Sequence, residues 1–156
     1  MKNFKSFNGF LLLLLTAALM SMSTDNKTYE GGWLDSIEEA KTLAKEKQLP
    51  ILVVFSGSDW CRPCIMQHTR VFDSETFQNY AKENLVLLQV DFPKKKENLL
   101  SEEQQAHNGA IAEKFNPQGY FPTNVLIDAE ENEIGRFGFM SSPDQYIAQI
   151  ESKIKK

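Results

Sequence analysis

Asp59-Trp60-Cys61-Arg62-Pro63-Cys64 contains both cysteines of the chain. Just ahead of it, Ile51-Leu52-Val53-Val54-Phe55 is an unbroken apolar run, the pattern of a strand buried on both faces. Two thiols separated by two residues can close a small disulfide. Placed after a buried strand and at the opening of a helix, such a pair has the arrangement of a redox site. A bond between Cys61 and Cys64 would reinforce the domain little, because the entropic benefit of a cross-link grows with the loop it closes.

Working outward, Ser36-x-x-Glu39 reads as a capping box, and Ile37, Ala40, Leu43 and Ala44 recur at helical spacing. Gln48-Leu49-Pro50 ends that helix. Ser56-Gly57-Ser58-Asp59 is the loop to the cysteines. A helix begins at Cys61 or just after it, with Pro63 tolerated because first-turn amides lack partners anyway. Ile65, Met66, Thr69 and Phe72 are its expected apolar side. Asp73-Ser74 caps a second helical piece containing Phe77, Tyr80 and Ala81. Leu85 to Asp91 is the next strand, terminated by Phe92-Pro93, and Lys94-Lys95-Lys96 reads as a solvated loop. Ser101-x-x-Gln104 starts a helix that runs to about Phe115. Thr123 to Ile127 and Ile134 to Phe139 are short strands around a polar hairpin loop. Ser142, Pro143 and Gln145 signal the last helix, with Tyr146, Ile147, Ile150 and Ile154 as its buried stripe. The predicted order is αβααβαββα, in one domain without an internal repeat.

The N-terminus differs in kind. Lys2 and Lys5 precede an apolar stretch from Phe10 to Met20, followed by Ser21, Ser23 and Thr24, which is the order of a secretory signal peptide. The stretch is shorter than the ~20 residues that span a bilayer. An uncleaved short anchor is the alternative. The expected division is a signal peptide over 1–23, a flexible lead-in over 24–32 and a folded domain over 33–156. Loss of 1–23 removes two lysines and no acid, taking the formal charge from −4 to −6. So acidic a domain offers no footprint for nucleic acid or anionic lipid. Export places the thiols where disulfides persist.

Taken together, Trp60-Cys61-x-x-Cys64 after a hydrophobic strand, and Phe121-Pro122-Thr123 before a hairpin and a final helix, resemble the thioredoxin superfamily. Gly57-Ser58-Asp59-Trp60-Cys61, Asn84 to Leu88 and Asp91-Phe92-Pro93 are similar to exported bacterial thioredoxin-like proteins, and to the periplasmic thioredoxin-like domain of transmembrane disulfide interchange proteins. The resemblance covers 33–156 and implies an α/β thioredoxin-like fold, a four-stranded mixed sheet with helices on both faces. It implies a cis Pro122 beside the dithiol. It also implies an exported, periplasmic thiol–disulfide oxidoreductase that reduces protein disulfides and is recharged by a membrane thiol-electron donor, with no cofactor. Oxidase or isomerase activity is the runner-up. A thioredoxin-fold metal-binding, copper-relay or non-catalytic binding module is the alternative of a different class.

Within that frame Cys61 is the nucleophile, at a helix N-terminus that favours a thiolate, with Arg62 pushing the same way and Asp59 pushing back. Cys64, expected to be the more buried, is the resolving thiol. Trp60 is read either as a shield and platform beside the dithiol or as a core aromatic. Phe121, Pro122 and Thr123 are the expected substrate-binding segment, where an extended chain adds by strand pairing. Zinc asks for four ligands and only His68 and His107 could join the cysteines, at a spacing that matches no finger or ribbon, so no metal site is assigned. Two departures from the family pattern stand out. Val54 occupies the place of a buried aspartate that serves the resolving cysteine, and Arg62-Pro63 replaces Gly-Pro between the cysteines. His68, four residues after Cys64 and so on the same helical face, is the candidate to take over proton transfer.

Overall fold

The computed structural model describes residues 32–155. The expected signal peptide and all of the lead-in except Gly32 lie outside the described residues. The elements are β1 (Trp33–Leu34), α1 (Ile37–Lys47), β2 (Ile51–Ser56), α2 (Arg62–Gln67), α3 (Glu75–Asn84), β3 (Val86–Asp91), α4 (Glu102–Phe115), β4 (Thr123–Ile127), β5 (Glu133–Phe137) and α5 (Pro143–Ile154). A π-helical turn over His68–Phe72 follows α2, and a short 3-10 turn over Lys96–Asn98 precedes α4.

The strands form one mixed sheet in the order β1-β3-β2-β4-β5. β1 and β2 run parallel to β3, whereas β4 is antiparallel to both β2 and β5. The sheet therefore has five strands, not four. The extra one is only two residues long, pairing Trp33 with Leu87 and Leu34 with Leu88, and is too short to show a period in the sequence.

Local chemistry sets the helix starts. Ser36, Ser74, Ser101 and Ser142 each accept a backbone N–H from the residue three positions on, filling one orphan donor per helix. The side of α2 differs from the expected one. Gln67 and Val71, three and seven residues after Cys64, turn inward with it at ordinary helical spacing, while Ile65 is 42% exposed and Thr69 is on the surface. At the C-terminal end β5 stops at Phe137, leaving Phe139 exposed, and Ile154 also lies outside the buried stripe of α5.

β2 is the centre of the core, and its alternate side chains feed both layers. Ile51, Val53 and Phe55 pack with α1 and α4 through Ala40, Ala44, Ile111 and Phe115. Leu52 and Val54 pack on the other side with Phe72, Phe77, Ala81 and Tyr146. Within this second layer lies a closed polar network. Asn124 on β4 stands opposite Val54 in the strand register and is fully buried. Its carbonyl accepts from Gln67 Nε2 at 3.0 Å and from the Tyr146 hydroxyl at 2.8 Å. Its amide donates to the carbonyls of Phe137 and Gly138, and Gln67 Oε1 takes the N–H of Met140. Asn124 thus joins α2, β4, α5 and the segment after β5.

Each buried donor or acceptor left unmade costs roughly 1–3 kcal/mol. Asn124→Leu strips partners from Gln67, Tyr146 and two carbonyls, and should cost about 3 kcal/mol or more. Tyr146→Phe leaves Asn124 bonded to Gln67 and should cost about 1 kcal/mol. Urea midpoints at constant m-value measure this order. Equal losses in the two variants would remove Asn124 from the centre of the network.

Candidate active site

β2 delivers the chain to a tight loop at its C-terminal end. The backbone N–H groups of Trp60 and Cys61 both donate to the Gly57 carbonyl, at 3.3 and 2.9 Å. Cys61 is then the N-cap of α2, and its Sγ accepts the Cys64 N–H at 3.3 Å. Pro63 occupies the first turn, where the missing N–H costs nothing. Cys61 and Cys64 form a disulfide, with Sγ atoms 1.99 Å apart and Cα atoms 5.2 Å apart. Both residues are 4% exposed, so the resolving position is no more buried than the other. In the closed bond each sulfur shields its partner. Arg62 between them projects to solvent.

Two aspartates tie the loop to its surroundings in opposite directions. Asp91, at the end of β3, accepts the Ser58 N–H at 2.8 Å on one carboxylate oxygen and the Ser58 hydroxyl on the other. Asp59, within the loop, accepts the N–H groups of Lys94 and Lys95, each at 2.9 Å, and the Asn98 side-chain amide at 3.1 Å. The Lys94 N–H holds the Asp59 carboxyl below its ordinary pKa, helped by the Lys95 N–H and Asn98 against a smaller opposing effect of burial. Lys94-Lys95-Lys96 is therefore an anchored segment, not merely a solvated one.

Trp60 is 39% exposed, which makes it a surface residue and not a core aromatic. Its Nε1–H donates to the Phe92 carbonyl at 2.7 Å, and the Lys94 ammonium lies 4.0 Å above the ring. Phe121 meets it edge-on at 5.5 Å and meets Phe92 at 5.6 Å. The indole rests directly on Gly57. A Cβ there would stand 2.3 Å from the ring, so only glycine leaves room for it.

The Phe121–Pro122 peptide is cis, as the resemblance implies. Thr123 follows as the first residue of β4 and closes its turn by donating from its hydroxyl to the Tyr120 carbonyl at 2.8 Å. Pro122, Cys64, Val54, Ser56, Gln67 and His68 line one crevice behind the disulfide. His68 is thus brought to the Cys64 side, with Nδ1 3.2 Å from Asp73 Oδ1. His107 is not brought to the dithiol. It sits on α4, where its Nε2 accepts the Ile37 N–H at 3.3 Å. No cluster of three metal-ligating side chains occurs among the described residues.

Gly57, Asp91, Phe92, Gln67 and Asn124 complete the site without having been singled out from the sequence. Asn124 carried one signal, being a lone amide inside an apolar strand. Gly57, Asp91 and Phe92 enter the sequence reading only as parts of a loop, a strand end and a resemblance.

A sequence profile of the family described as thioredoxin-like matches residues 32–129. The disulfide bond reductase DsbH of Chlamydia pneumoniae is 34% identical over 122 residues, covering 78% of this chain and 72% of that protein. The thioredoxin-related protein DsbJ of the same organism is 32% identical over 128 residues, covering 82% of this chain and 36% of DsbJ, so the chain spans about a third of it. A solved structure of a DsbH oxidoreductase superposes with a TM-score of 0.73 at 34% identity, covering 80% of this chain and 84% of that one.

The lowered pKa of Asp59 sets the sign of an acid response. Its anchorage of residues 94–98 is complete above the ordinary aspartate range and is lost as pH falls through the depressed value. In a Trp33→Phe background, where Trp60 is the one remaining tryptophan, emission should stay flat from neutral pH down to that range and change only below it. Asp59→Asn should give the changed emission at neutral pH, since an amide cannot accept all three donors. Wild-type emission in Asp59→Asn would mean that the carboxylate does not hold the indole's seat.

Proposed function

Because the chain belongs to the thioredoxin-like family, we propose that it is an exported thiol–disulfide oxidoreductase working in the reducing direction on protein disulfides. The observation that carries this is the Cys61–Cys64 disulfide at the start of α2, with Trp60 and the Phe121–Pro122 segment beside it. Likeness to a protein named a disulfide bond reductase supports the direction.

The bonded pair is the oxidised end of the cycle. Once two electrons and two protons have opened it, the Cys61 thiolate attacks one sulfur of a substrate disulfide. A Cys61–substrate bond forms, the substrate bond breaks, and its leaving sulfur takes a proton. Cys64 then loses its proton and attacks Cys61 Sγ. The internal disulfide reforms and the second substrate sulfur leaves. The substrate has gained two electrons and the protein has lost them. The Cys64 N–H aimed at Cys61 Sγ stabilises charge on that sulfur, and Arg62 adds a nearby cation.

No carboxylate lies at Val54 to receive the Cys64 proton, and His68 is the titratable side chain in the shared crevice. Asp73 takes the Nδ1 side of the ring, which directs the other nitrogen to proton transfer. Phe121, Pro122 and Thr123 form the edge against which a substrate strand is laid, with Trp60 as its floor. Export rests on residues 1–23, and regeneration falls to a dithiol donor of the membrane. No described helix is long and apolar enough to cross a membrane.

Reduction of a disulfide-bonded protein with a thiol donor tests the assignment. Cys61→Ser should lose at least ~99% of the activity, and Cys64→Ser should accumulate a mixed disulfide through Cys61. Equilibration with glutathione should give a potential near the ~−270 mV of thioredoxin, whereas a value near ~−120 mV would reverse the direction to oxidation. His68→Gln should slow exchange and alter its pH profile. An unchanged profile sinks the proton-transfer role.

A further inference from the structure

The chain carries 21 acidic against 17 basic side chains, so its overall field repels acidic partners. Around the dithiol several cations gather. Arg62, Lys94, Lys95 and Lys96 are exposed there, opposed within the same two segments by Asp59 and Glu97, and by Asp91, whose carboxylate is bound to Ser58 of the active-site loop. Elsewhere some cations are paired and some are not: Lys41 and Lys114 bind Glu131, Arg136 binds Glu133 and Lys155 binds Glu151, while Lys45, Lys47, Arg70, Lys82 and Lys153 stand outside any ion pair among the described residues. Among the described residues Arg62, Lys94 and Lys95 enter no such ion pair.

Lys94 is also held in place. Its N–H is bound to Asp59, and its ammonium lies over an indole that is itself fixed through the Phe92 carbonyl. An ammonium over a ring keeps donors facing away from it, available to an arriving acceptor. Trp60 is the neighbour of Cys61, and its ring touches Phe121 ahead of Pro122. The result is an apolar shelf capped by a cation, beside the sulfurs and along the edge assigned to substrate.

We propose that this shelf selects its substrates by charge: disulfides whose cysteines are flanked by aspartate or glutamate in an extended protein segment. This deepens the reading of the chain as a disulfide reductase and rests on it. A carboxylate one or two residues from the attacked cysteine reaches Lys94 or Arg62 while the segment's apolar atoms cover Trp60. The contribution is chiefly to encounter rate and orientation, and so falls with salt.

Three disulfide-linked peptides, identical except for Glu, Gln or Lys beside the cysteine, provide the test. Their rates with the reduced protein are each divided by the rate with a small neutral dithiol, which removes intrinsic reactivity. At low salt the Glu peptide should react about tenfold faster than the Lys peptide, and the ratio should collapse towards one at high salt. Lys94→Gln should lower that ratio about threefold, and Lys94→Gln with Lys95→Gln further. A ratio near one in the wild type, or one unmoved by the lysine variants, overturns the proposal. Peptides with serine for cysteine, titrated against the oxidised protein by tryptophan fluorescence, distinguish the two failures. Preferential binding of the Glu form without reduction of any peptide would retain the shelf and refute the reductase. Reduction of all three without preference, in rate or in binding, would do the opposite.

Discussion

A bond that is made and broken in every turnover cannot be what holds its own surroundings in place. The Cys61–Cys64 linkage needs a frame that survives its opening, and two sets of hydrogen bonds supply one. Above the dithiol, Asp91 and Asp59 tie the 57–60 loop to the end of β3 and to residues 94–98. Below it, Gln67 links the active-site helix to Asn124, and Asn124 to α5 and the segment after β5. None of these contacts involves sulfur. The cysteines can therefore open, bind a substrate and close while α2 keeps its position against β4.

The two sets differ in charge for a physical reason. The lower network is buried, and an ionised group there would need full compensation. Neutral amides and a phenol satisfy one another completely, and burial pushes the Tyr146 hydroxyl well above its ordinary pKa, so it stays protonated as a donor. The cost of a neutral floor is that nothing at Val54 exchanges a proton with Cys64. In the mechanism proposed above, proton traffic runs sideways instead, through the crevice that Cys64 shares with His68. The upper set faces solvent, where carboxylates are inexpensive and accept several donors at once.

The features legible in the sequence were those written in neighbouring residues. Ser36 with Glu39 and Ser142 with Gln145 announce their helices within three positions, and the apolar run of β2 announces its burial. What escaped depends on distant partners. β1 is two residues whose strand character exists only against Leu87 and Leu88. Gln67 looks like a surface residue by type, and its inward place rests on distant partners, Asn124 and Met140. Trp60 is ambiguous by type, and its place at the surface is set by Gly57 beneath it and Phe92 some thirty residues away.

Asp59 shows how far a local electrostatic reading reaches. Two residues from Cys61, an acid should disfavour a thiolate, and by sequence alone that is its whole effect. The structure gives it three donors from residues 94, 95 and 98, which spread its charge over a hydrogen-bonded loop. Those bonds also bring the Lys94 ammonium over Trp60. A neutral residue at 59 would remove a repulsion from a Cys61 thiolate, but would release the cation that lies over Trp60, the residue next to it. With Cys61 as the proposed nucleophile, an acid two residues away is compatible with a reactive thiol because the same carboxylate positions a positive charge over the neighbouring indole.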